Sequence, residues 1–480
     1  MVPHDGRESQ LSIRHTKIVA TLGPASASLE VVESLVRCGL DVARINASHG
    51  TSEERATLIR NLRAAAQRAD RPVAVLVDLQ GPRIRVGDLT APIQLAPGQA
   101  VVFAPEGAAQ PGEIPTTFDL AADARPGKPV LLDDGLIVVE VTAVRAPRVE
   151  GRVRYGGLLK SHKGMNLPGS SVSVPPLTEK DRADAAWAVE QGADYVALSF
   201  VRSAEDVESL RALLPVGVRI VTKIERDTAL GDIERIAEAS DAIMVARGDL
   251  GVELPFELVP LAQKRVIRCA LEHRRPVITA TQMLESMIHS PRPTRAEASD
   301  VANAILDGTD AVMLSAETAA GEYPCEAVEA MDRIIRAVEA DSAADCRPDV
   351  RAGLAAPDQP ARSEHAVAAA AVAAAKMLHA PLIVTFTKSG FSARVVAASR
   401  PPMPVLGVTD GEQTYRQLAL VWGVVPMLAG GPPNYDAMLG AARDRILDRG
   451  LAKKGDRVVV TAGVPFDVPG TTNLVKVEEV

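Results

Sequence analysis

Cysteine is scarce in this chain of 480 residues, which has only four. They stand far apart, and none has a neighbour at the spacing that metal sites use. We therefore expect reduced, small side chains rather than disulfide bridges or a zinc centre. The four residues are Cys38, Cys269, Cys325 and Cys346.

Long apolar runs are also missing. No stretch reaches the roughly 18 to 20 residues that a membrane-spanning helix needs. The longest candidate, Ala366–Ala375, is rich in alanine and flanked by His365 and Lys376, which is typical of a packed helix. The N-terminal residues offer no apolar segment of a secretory signal, so we predict a cytoplasmic protein with no membrane partner.

Positive charge is not in excess. The chain has 53 Lys and Arg against 61 Asp and Glu, a net charge of −8 and a pI near 5.6. Such a chain lacks the positive field that nucleic acid or anionic lipid selects, so neither is an expected partner. With 47% hydrophobic residues it can build ample core, and its length suggests about three domains.

Eight β-branched runs, each followed by a helical pattern, predict a closed (β/α)₈ barrel with parallel strands buried on both faces. Seven intervals separate the starts of these runs. Six intervals span 23 to 35 residues, but the one from Ala74 to Tyr195 spans 121 and therefore contains an insertion. The runs begin at Lys17, Val42, Ala74, Tyr195, Arg219, Ala242, Pro276 and Ala311.

The insertion alternates apolar and polar residues between Gly and Pro turns, which predicts a small antiparallel β domain. A polar stretch with several prolines, about 342–362, predicts a linker, and alternating strand and helix patterns after it predict an open α/β domain. The predicted boundaries are 1–87 and 171–345 for the barrel, 88–170 for the inserted domain and 346–480 for the C-terminal domain.

Polar residues stand at the C-terminal ends of the predicted barrel strands. Barrels of this class have their active sites at the face where these ends meet. Burying so many charges for stability alone would be costly, so we expect a functional mouth. The residues concerned are Thr21, Arg44, Asn46, Ser48, Asp78, Ser199, Lys223, Glu225, Arg247, Asp249, Thr279, Thr281, Ser315 and Glu317.

Lys223 and Glu225 are two apart on one strand and so share a face. Alone they could form a plain salt bridge. Asp249, at the end of the next strand, adds a second carboxylate from a neighbouring strand, and two such groups can hold Mg²⁺ with water and substrate oxygens. A metal, a lysine and an arginine at one point suit phosphoryl transfer. The inserted domain could close over the mouth and exclude water.

The chain resembles pyruvate kinase over nearly its whole length. The matching stretches occur in order and fall on the positions that the barrel prediction selects. They are Thr16–Ser26, Val42–Gly50, Gly81–Arg85, Leu132–Ile137, Lys163–Gly169, Thr222–Glu225, Ile243–Glu253, Thr279–Met287, Pro291–Ala304 and Met313–Pro324.

The resemblance implies transfer of the phosphoryl group of phosphoenolpyruvate to ADP, giving pyruvate and ATP, the last step of glycolysis. Glu225 and Asp249 would hold Mg²⁺ or Mn²⁺. Lys223 would stabilise the charge in transit, Arg44 would bind the substrate phosphate, and Thr281 would belong to the water-linked route that protonates the enolate. Gly248, Asp249, Thr281 and Ser199 are further expected substrate contacts, and Asn46, Ser48, His49, Arg85 and Lys163 are expected at the nucleotide phosphates.

One departure concerns potassium. Members that require K⁺ carry Thr, Lys, Glu and Thr where this chain has Leu79, Gln80, Arg83 and Val86. The chain is similar to the potassium-independent branch, and the fixed charge of Arg83 would replace the bound cation. The alternative is that Arg83 pairs with Asp78 or faces solvent while K⁺ still binds.

The loop Thr387–Ser392 precedes a predicted helix, and its hydroxyls and glycine suit an anion, although an ordinary N-terminal turn has the same composition. The resemblance aligns Thr387, Ser389, Gly390 and Ser392 with the family's effector phosphate loop, with 463–473 as the other wall. A phosphorylated sugar or nucleotide is the implied effector and a homotetramer the implied assembly.

Two other functions stay open on the residues alone. A Mg²⁺-dependent aldolase or lyase acting on pyruvate enolates uses similar Glu and Asp ligands on a barrel, but it does not need the inserted domain. A metabolite-sensing scaffold without activity is disfavoured because Lys223, Glu225, Asp249 and Thr281 are all present.

Overall fold

The structure is a computed structural model that describes residues 13–82, 84–169, 173–341, 362–430, 435–464 and 472–480. Arg83, most of the predicted linker and much of the predicted wall at 463–473 lie outside these ranges. Within them, no helix combines the length and the apolar character that crossing a bilayer demands.

Eight parallel strands of the described chain close into a barrel in the order β1-β16-β15-β14-β13-β12-β3-β2. Seven of them begin where the β-branched runs predict, and the eighth begins one residue after Pro276. Their bounds are β1 Lys17–Leu22, β2 Val42–Asn46, β3 Ala74–Asp78, β12 Tyr195–Leu198, β13 Arg219–Ile224, β14 Ala242–Ala246, β15 Val277–Ala280 and β16 Ala311–Leu314.

Alternation along these strands decides which side chains reach the barrel axis. Val19, Val42, Leu76 and Val221 belong to the buried cluster inside the barrel. Two residues further along each strand stand Thr21, Arg44, Asp78 and Lys223, which therefore point into the mouth on the same side. The even spacing of the apolar residues thus positions the polar ones.

Helices surround the barrel, and three of them begin with a threonine whose side chain and an acidic partner three residues later cap each other, at Thr51, Thr178 and Thr294. The helices of this part are α1 Leu29–Cys38, α2 Ser52–Arg68, α3 Glu179–Glu190, α4 Ala204–Arg211, α5 Asp227–Gly231, α6 Ile233–Ala239, α7 Arg247–Glu253, α8 Val259–Glu272, α9 Arg295–Leu306, α10 Ala316–Ala319 and α11 Pro324–Ala340.

The insertion after β3 forms two small sheets, ordered β10-β4 and β11-β7-β8-β9-β5-β6, over a core that contains the fully buried Phe103. A backbone hydrogen bond of 2.9 Å from Val86 N to Lys163 O ties its two connections together. The strands are β4 Ile93–Leu95, β5 Ala100–Pro105, β6 Ile114–Thr116, β7 Pro129–Leu132, β8 Ile137–Arg145, β9 Arg148–Tyr155, β10 Gly157–Leu159 and β11 Met165–Asn166.

The C-terminal part is a sheet ordered β19-β18-β17-β20-β21 with helices packed on it. The sequence predicted β17, β18 and β20 but not β19 or the antiparallel edge strand β21. Leu420 from this part is buried among the residues inside the barrel. The elements are α12 Ser363–Leu378, β17 Ile383–Phe386, α13 Phe391–Ala398, β18 Val405–Thr409, α14 Glu412–Gln417, β19 Val424–Leu428, α15 Tyr435–Asp448, β20 Arg457–Ala462 and β21 Leu474–Glu479.

The predicted fold class is confirmed: a (β/α)₈ barrel, a small β domain inserted after its third strand, and a C-terminal α/β domain. The four predicted domain ranges and the linker remain predictions.

Candidate active site

Lys223 lies at the centre of the barrel mouth. Its ammonium donates to Ser199 Oγ at 2.8 Å and lies 2.7 Å from Glu225 Oε1 and 3.3 Å from Asp78 Oδ1. Burial alone would lower the pKa of Lys223, but Asp78 and Glu225 outweigh it and raise that pKa. The buried lysine is therefore held in its charged form.

Glu225 is 1% exposed and follows directly after β13. Burial raises the pKa of its carboxyl to about 7, with Lys223 opposing and the charges of Asp249 and Asp78 adding to the rise. Phe200 N donates to Oε2 at 2.5 Å, whereas Oε1 accepts no well-aligned hydrogen bond despite the nearby ammonium. A buried carboxyl oxygen of this kind, near enough to Asp249 for the charge of that group to affect it, fits a hard divalent cation.

Asp249 is half-buried in the first turn of α7. The preceding residue, Gly248, donates its N–H to Thr281 Oγ1 at 2.8 Å, and a Cβ at Gly248 would lie 3.4 Å from the same oxygen. The missing side chain thus keeps α7 and Thr281 close together beside the carboxylate.

Arg44 is fixed by two neighbouring strands. Its guanidinium donates to Asp78 Oδ2 at 2.7 Å through Nε and to Thr21 Oγ1 at 3.0 Å. Burial would raise the pKa of Asp78, but Lys223 and Arg44 hold it below its usual value. Asp78 therefore links the two cations of the mouth as a charged group.

Thr281 adopts a left-handed backbone with φ of 67°, and Gln282 follows with φ of 55°. A β-branched residue in this region is strained and needs support from its surroundings. Arg247 supplies it, because its buried guanidinium donates to Thr281 O at 2.7 Å and to Gln282 O at 3.2 Å. Asp300 holds the other side of that guanidinium at 2.7 Å.

Two residues expected in the mouth are not there. Thr279 donates to Thr309 Oγ1 at 3.0 Å and is fully buried in the layer outside the strands. Arg247 bonds the Thr281–Gln282 backbone as described. Thr279 follows Ile278, which points inward, and Arg247 follows Ala246, which stands two residues after the inward Met244, so alternation directs both outward.

The residues expected at the nucleotide lie on two elements. At the end of β2, Asn46 Oδ1 accepts from Ser48 N and its Nδ2 lies 3.0 Å from His49 Nδ1. At the base of the inserted domain, Arg85 forms a bridge pair with Gly164, and Lys163 Nζ lies 2.7 Å from Asp133 Oδ1.

The inserted domain contacts α7, the helix that carries Asp249. Asn166 of β11 donates to Glu253 of α7 at 3.0 Å. A cleft of about 970 Å³ lies along α7 and α8, and Asp134 of the inserted domain, Gly248 and Asp249 contribute to its lining. Lys223, Glu225 and Arg44 do not line this cleft, so it borders the candidate site only on the side of Asp249.

In the C-terminal part, the predicted effector loop lies between β17 and α13. Ser389 O accepts from Arg219 at 2.8 Å, and Gly390 takes φ of 77° before the helix. Thr387 is buried, and Ser392 Oγ lies 2.7 Å from Thr472 Oγ1. The loop is thus bonded both to the barrel and to the edge of the 463–473 segment.

Asp78 has a role in this site that the sequence pattern alone does not indicate, because it contacts both Arg44 and Lys223. Its position at the end of β3 placed it at the mouth, but no catalytic part was assigned to it. The alternation of side chains along β3 was the available signal. Asp78 stands two residues after Leu76, which points inward, and its strand lies next to that of Arg44.

Two carboxyl groups of the kind that hard cations bind, a lysine held in its charged form and an arginine at the mouth of a (β/α)₈ barrel indicate an enzyme of the phosphoryl-transfer class. Comparison with known proteins makes the assignment specific. The family described as "Pyruvate kinase, barrel domain" matches residues 13–328, and "Pyruvate kinase, alpha/beta domain" matches residues 365–478.

Curated relatives agree along the whole length. The pyruvate kinase of Geobacillus stearothermophilus is 47% identical, with 97% of this chain and 80% of that protein covered. A pyruvate kinase of Agrobacterium vitis is 45% identical over 97% of both chains, and that of Clostridium acetobutylicum is 40% identical over 98% of this chain and all of its own. The chain belongs to the pyruvate kinase family, whose members transfer the phosphoryl group of phosphoenolpyruvate to ADP, and this is its reaction.

Proposed function

We propose that Lys223 carries the transfer step and that Glu225 and Asp249 hold the divalent metal, as Mg²⁺ or Mn²⁺. The observation that supports this most directly is the set of contacts of the Lys223 ammonium, which Ser199, Asp78 and Glu225 surround within 3.3 Å. When bound, the metal supplies positive charge to the oxygens of the substrate.

The phosphoryl group in transit spreads negative charge over its oxygens, and a fixed ammonium stabilises that charge without reorganising. Lys223 is suited to this because its acidic neighbours keep it protonated and anchored. Arg44 binds the substrate phosphate from the other side of Asp78, so the shared carboxylate fixes the distance between the two cations.

The other half of the reaction delivers a proton to the carbon of the enolate. Thr281 is placed for the relay that we assign to it, since its hydroxyl faces Gly248 beside Asp249. An alcohol is far too weak an acid to act alone, so Thr281 works with water that passes the proton on. Gly248, Asp249 and Thr281 contact the carboxylate region of phosphoenolpyruvate. Ser199 orients Lys223 by accepting a hydrogen bond from its ammonium.

ADP and ATP bind on the side of β2 and the inserted domain. Asn46, Ser48, His49, Arg85 and Lys163 contact the phosphates in this proposal. Lys163 is paired with Asp133, and that contact raises the pKa of its ammonium, so a positive charge is available for a phosphate. The contact between Asn166 and Glu253 favours closure of the inserted domain over the bound substrates.

We further propose that the enzyme needs no K⁺. Leu79 and Val86 are buried and offer no side-chain oxygen where K⁺-dependent members have threonine. Asn46 Oδ1 already accepts from Ser48 N at 3.0 Å. Arg83, whose charge would replace the cation, lies outside the described residues.

Activity in Tris or sodium buffers is therefore expected to change less than about twofold when KCl is added. Arg83→Gln is expected to lower the K⁺-free activity, because it removes the replacing charge and keeps a similar size. Strong activation of the unaltered enzyme by K⁺ would contradict the proposal.

A homotetramer and an effector site at Thr387, Ser389, Gly390 and Ser392 for a phosphorylated sugar or nucleotide complete the proposal. Phe256 and Leu261 near the start of α8 are 85% and 63% exposed, which favours burial against another subunit. Light scattering on the purified protein measures the assembly directly.

A coupled assay that follows pyruvate formation from phosphoenolpyruvate and ADP tests the function itself. We expect turnover that requires both substrates and a divalent metal. An enolate aldolase or lyase breaks carbon–carbon bonds and an inactive scaffold breaks none, so neither would form pyruvate from these two substrates, and absence of pyruvate would overturn the proposal.

A further inference from the structure

A second group of metal-ligand side chains lies outside the barrel, away from the mouth. Glu234, Cys269 and His273 each direct one ligand atom so that all three lie within 4.8 Å of one another. Across the described residues this is the only such group of His, Cys, Asp and Glu. Glu238 lies beside it, with Oε1 3.8 Å from His273 Nε2.

The group is built from two neighbouring helices. Glu234 and Glu238 stand four residues apart on α6, and Cys269 and His273 stand four residues apart at the end of α8. Residues at this spacing share one helix face, so each helix presents two ligands to the other. We propose that these four side chains bind a transition-metal cation of the zinc type.

The distances suit a tetrahedral ion. Bonds of about 2.0 to 2.3 Å at tetrahedral angles set neighbouring ligand atoms about 3.3 to 3.8 Å apart. His273 Nε2 lies 3.5 Å from Glu234 Oε2 and 3.8 Å from Glu238 Oε1. Cys269 Sγ lies 3.7 Å from His273 Nδ1, so the cysteine side chain must turn toward Nε2 for all the donors to meet at one ion.

The tautomer of His273 is already set for metal binding. Its Nδ1 lies 3.0 Å from the carbonyl oxygen of Cys269, which can only accept, so Nδ1 carries the proton. Nε2 then has its lone pair toward the two carboxylates. Metal-bound histidines commonly donate their other ring N–H to a backbone carbonyl in this way.

The donor set distinguishes this group from the mouth. A thiol and an imidazole select zinc-type ions, whereas the oxygen ligands of the mouth suit Mg²⁺. Cys269 is 3% exposed, and Glu234 and Glu238 are exposed, which gives an ion a path from solvent. Burial and Glu234 raise the pKa of the Cys269 thiol to about 12, so the residue is not suited to act as a free nucleophile.

The group also has a consequence for the fold. Between α6 and α8 the chain runs through β14 and α7, which carries Asp249. An ion shared by the two helices would fasten them on either side of that strand and stabilise the folded chain by binding it preferentially. The alternative is an imidazolium of His273 that bridges the two glutamates without a metal.

Cobalt(II) separates these possibilities. Full-length protein without a histidine tag is stripped with a chelator, desalted and titrated with Co²⁺ under reducing, anaerobic conditions. We expect a thiolate-to-cobalt charge-transfer band in the near ultraviolet and tetrahedral bands in the visible, at one equivalent per chain, displaced by Zn²⁺. Cobalt at the mouth cannot give the thiolate band, because the ligands proposed there are oxygens.

Matched variants assign the band. Cys269→Ser is expected to abolish the band. Cys38→Ser is the matched control, because Cys38 also lies beside a glutamate, with its sulfur 3.5 Å from Glu329 Oε1. This variant is expected to keep the band, because Cys38 is not one of the proposed ligands. Glu234→Gln, at an exposed position, is expected to weaken Co²⁺ binding at least about tenfold without disturbing the fold. Absence of the band in the unaltered chain, or its persistence in Cys269→Ser, would overturn the proposal, whatever the result of the pyruvate assay.

Discussion

Lys223→Met is expected to lower kcat about 10³-fold, within the range seen when a fixed cation or donor is removed from a charged transition state. Methionine keeps the length and apolar stem of the side chain but removes the ammonium that Ser199, Asp78 and Glu225 hold. The KM for phosphoenolpyruvate is expected to change much less, because the variant keeps Arg44, the proposed ligand of the substrate phosphate. Steady-state kinetics with saturating Mg²⁺ measure both constants.

Lys17→Met is the matched control. Lys17 is 5% exposed at the opposite end of the barrel, where its ammonium donates to Val424 O at 2.7 Å. Burial lowers the pKa of Lys17 to about 8, whereas the acids around Lys223 raise the pKa of that group. We expect kcat within about twofold of the original, because Lys17 contacts the C-terminal domain and not the substrates.

Removing Lys223 also leaves Asp78 and Glu225 without their shared cation. Loss of one partner from a buried ion pair costs about 3 to 5 kcal/mol in the free energy of unfolding. The kinetics are therefore measured well below the unfolding temperature found by circular dichroism. A folded Lys223→Met protein that keeps its kcat would exclude Lys223 from the transfer step.

Much of the fold follows from local patterns. The β-branched runs predict the barrel strands because a parallel sheet buried on both faces needs apolar residues at nearly every position. Because nearly every strand position is apolar, the pattern does not show which side chains point to the barrel axis and which point to the surrounding helices. Thr279 was expected in the mouth but points outward. Its neighbours Ile278 and Ala280 both lie inside the barrel, so alternation along the strand turns Thr279 away from the axis.

Other parts depend on contacts distant in sequence. Asp78 acquires its role from Arg44 and Lys223, which come from two other strands. The left-handed backbone of Thr281 needs Arg247, 34 residues earlier, to hold its carbonyl. The edge strand β21 pairs with β20 across a segment partly outside the described residues, and its polar outer side chains gave little strand signal.

The proposed metal site offers a test in which stability and activity move in opposite directions. Asp249→Asn keeps the shape of the side chain and removes one of the two proposed metal ligands. We expect the Mg²⁺ concentration for half-maximal activity to rise at least about 100-fold, because a carboxylate is a far better ligand for a hard cation than an amide. Titration of activity with Mg²⁺, repeated with Mn²⁺, gives this constant.

Without metal, the same variant is expected to be at least as stable as the original chain. Asp249 adds to the repulsion that raises the pKa of the buried Glu225, so removing its charge relieves a cost that the folded state bears. Functional sites often retain such unfavourable charge, because binding repays it. Thermal unfolding in the presence of a chelator measures this effect separately from catalysis.

Glu257→Gln serves as the charge control, since Glu257 is exposed on the turn after α7 and its loss changes the net charge by the same amount. We expect its Mg²⁺ requirement to be unchanged. Glu225→Gln is expected to reproduce the Asp249→Asn effect on Mg²⁺, because both carboxylates serve one ion. If either ligand variant kept the original Mg²⁺ requirement, that residue would not bind the catalytic metal, and the charge it places beside Lys223 would need another explanation.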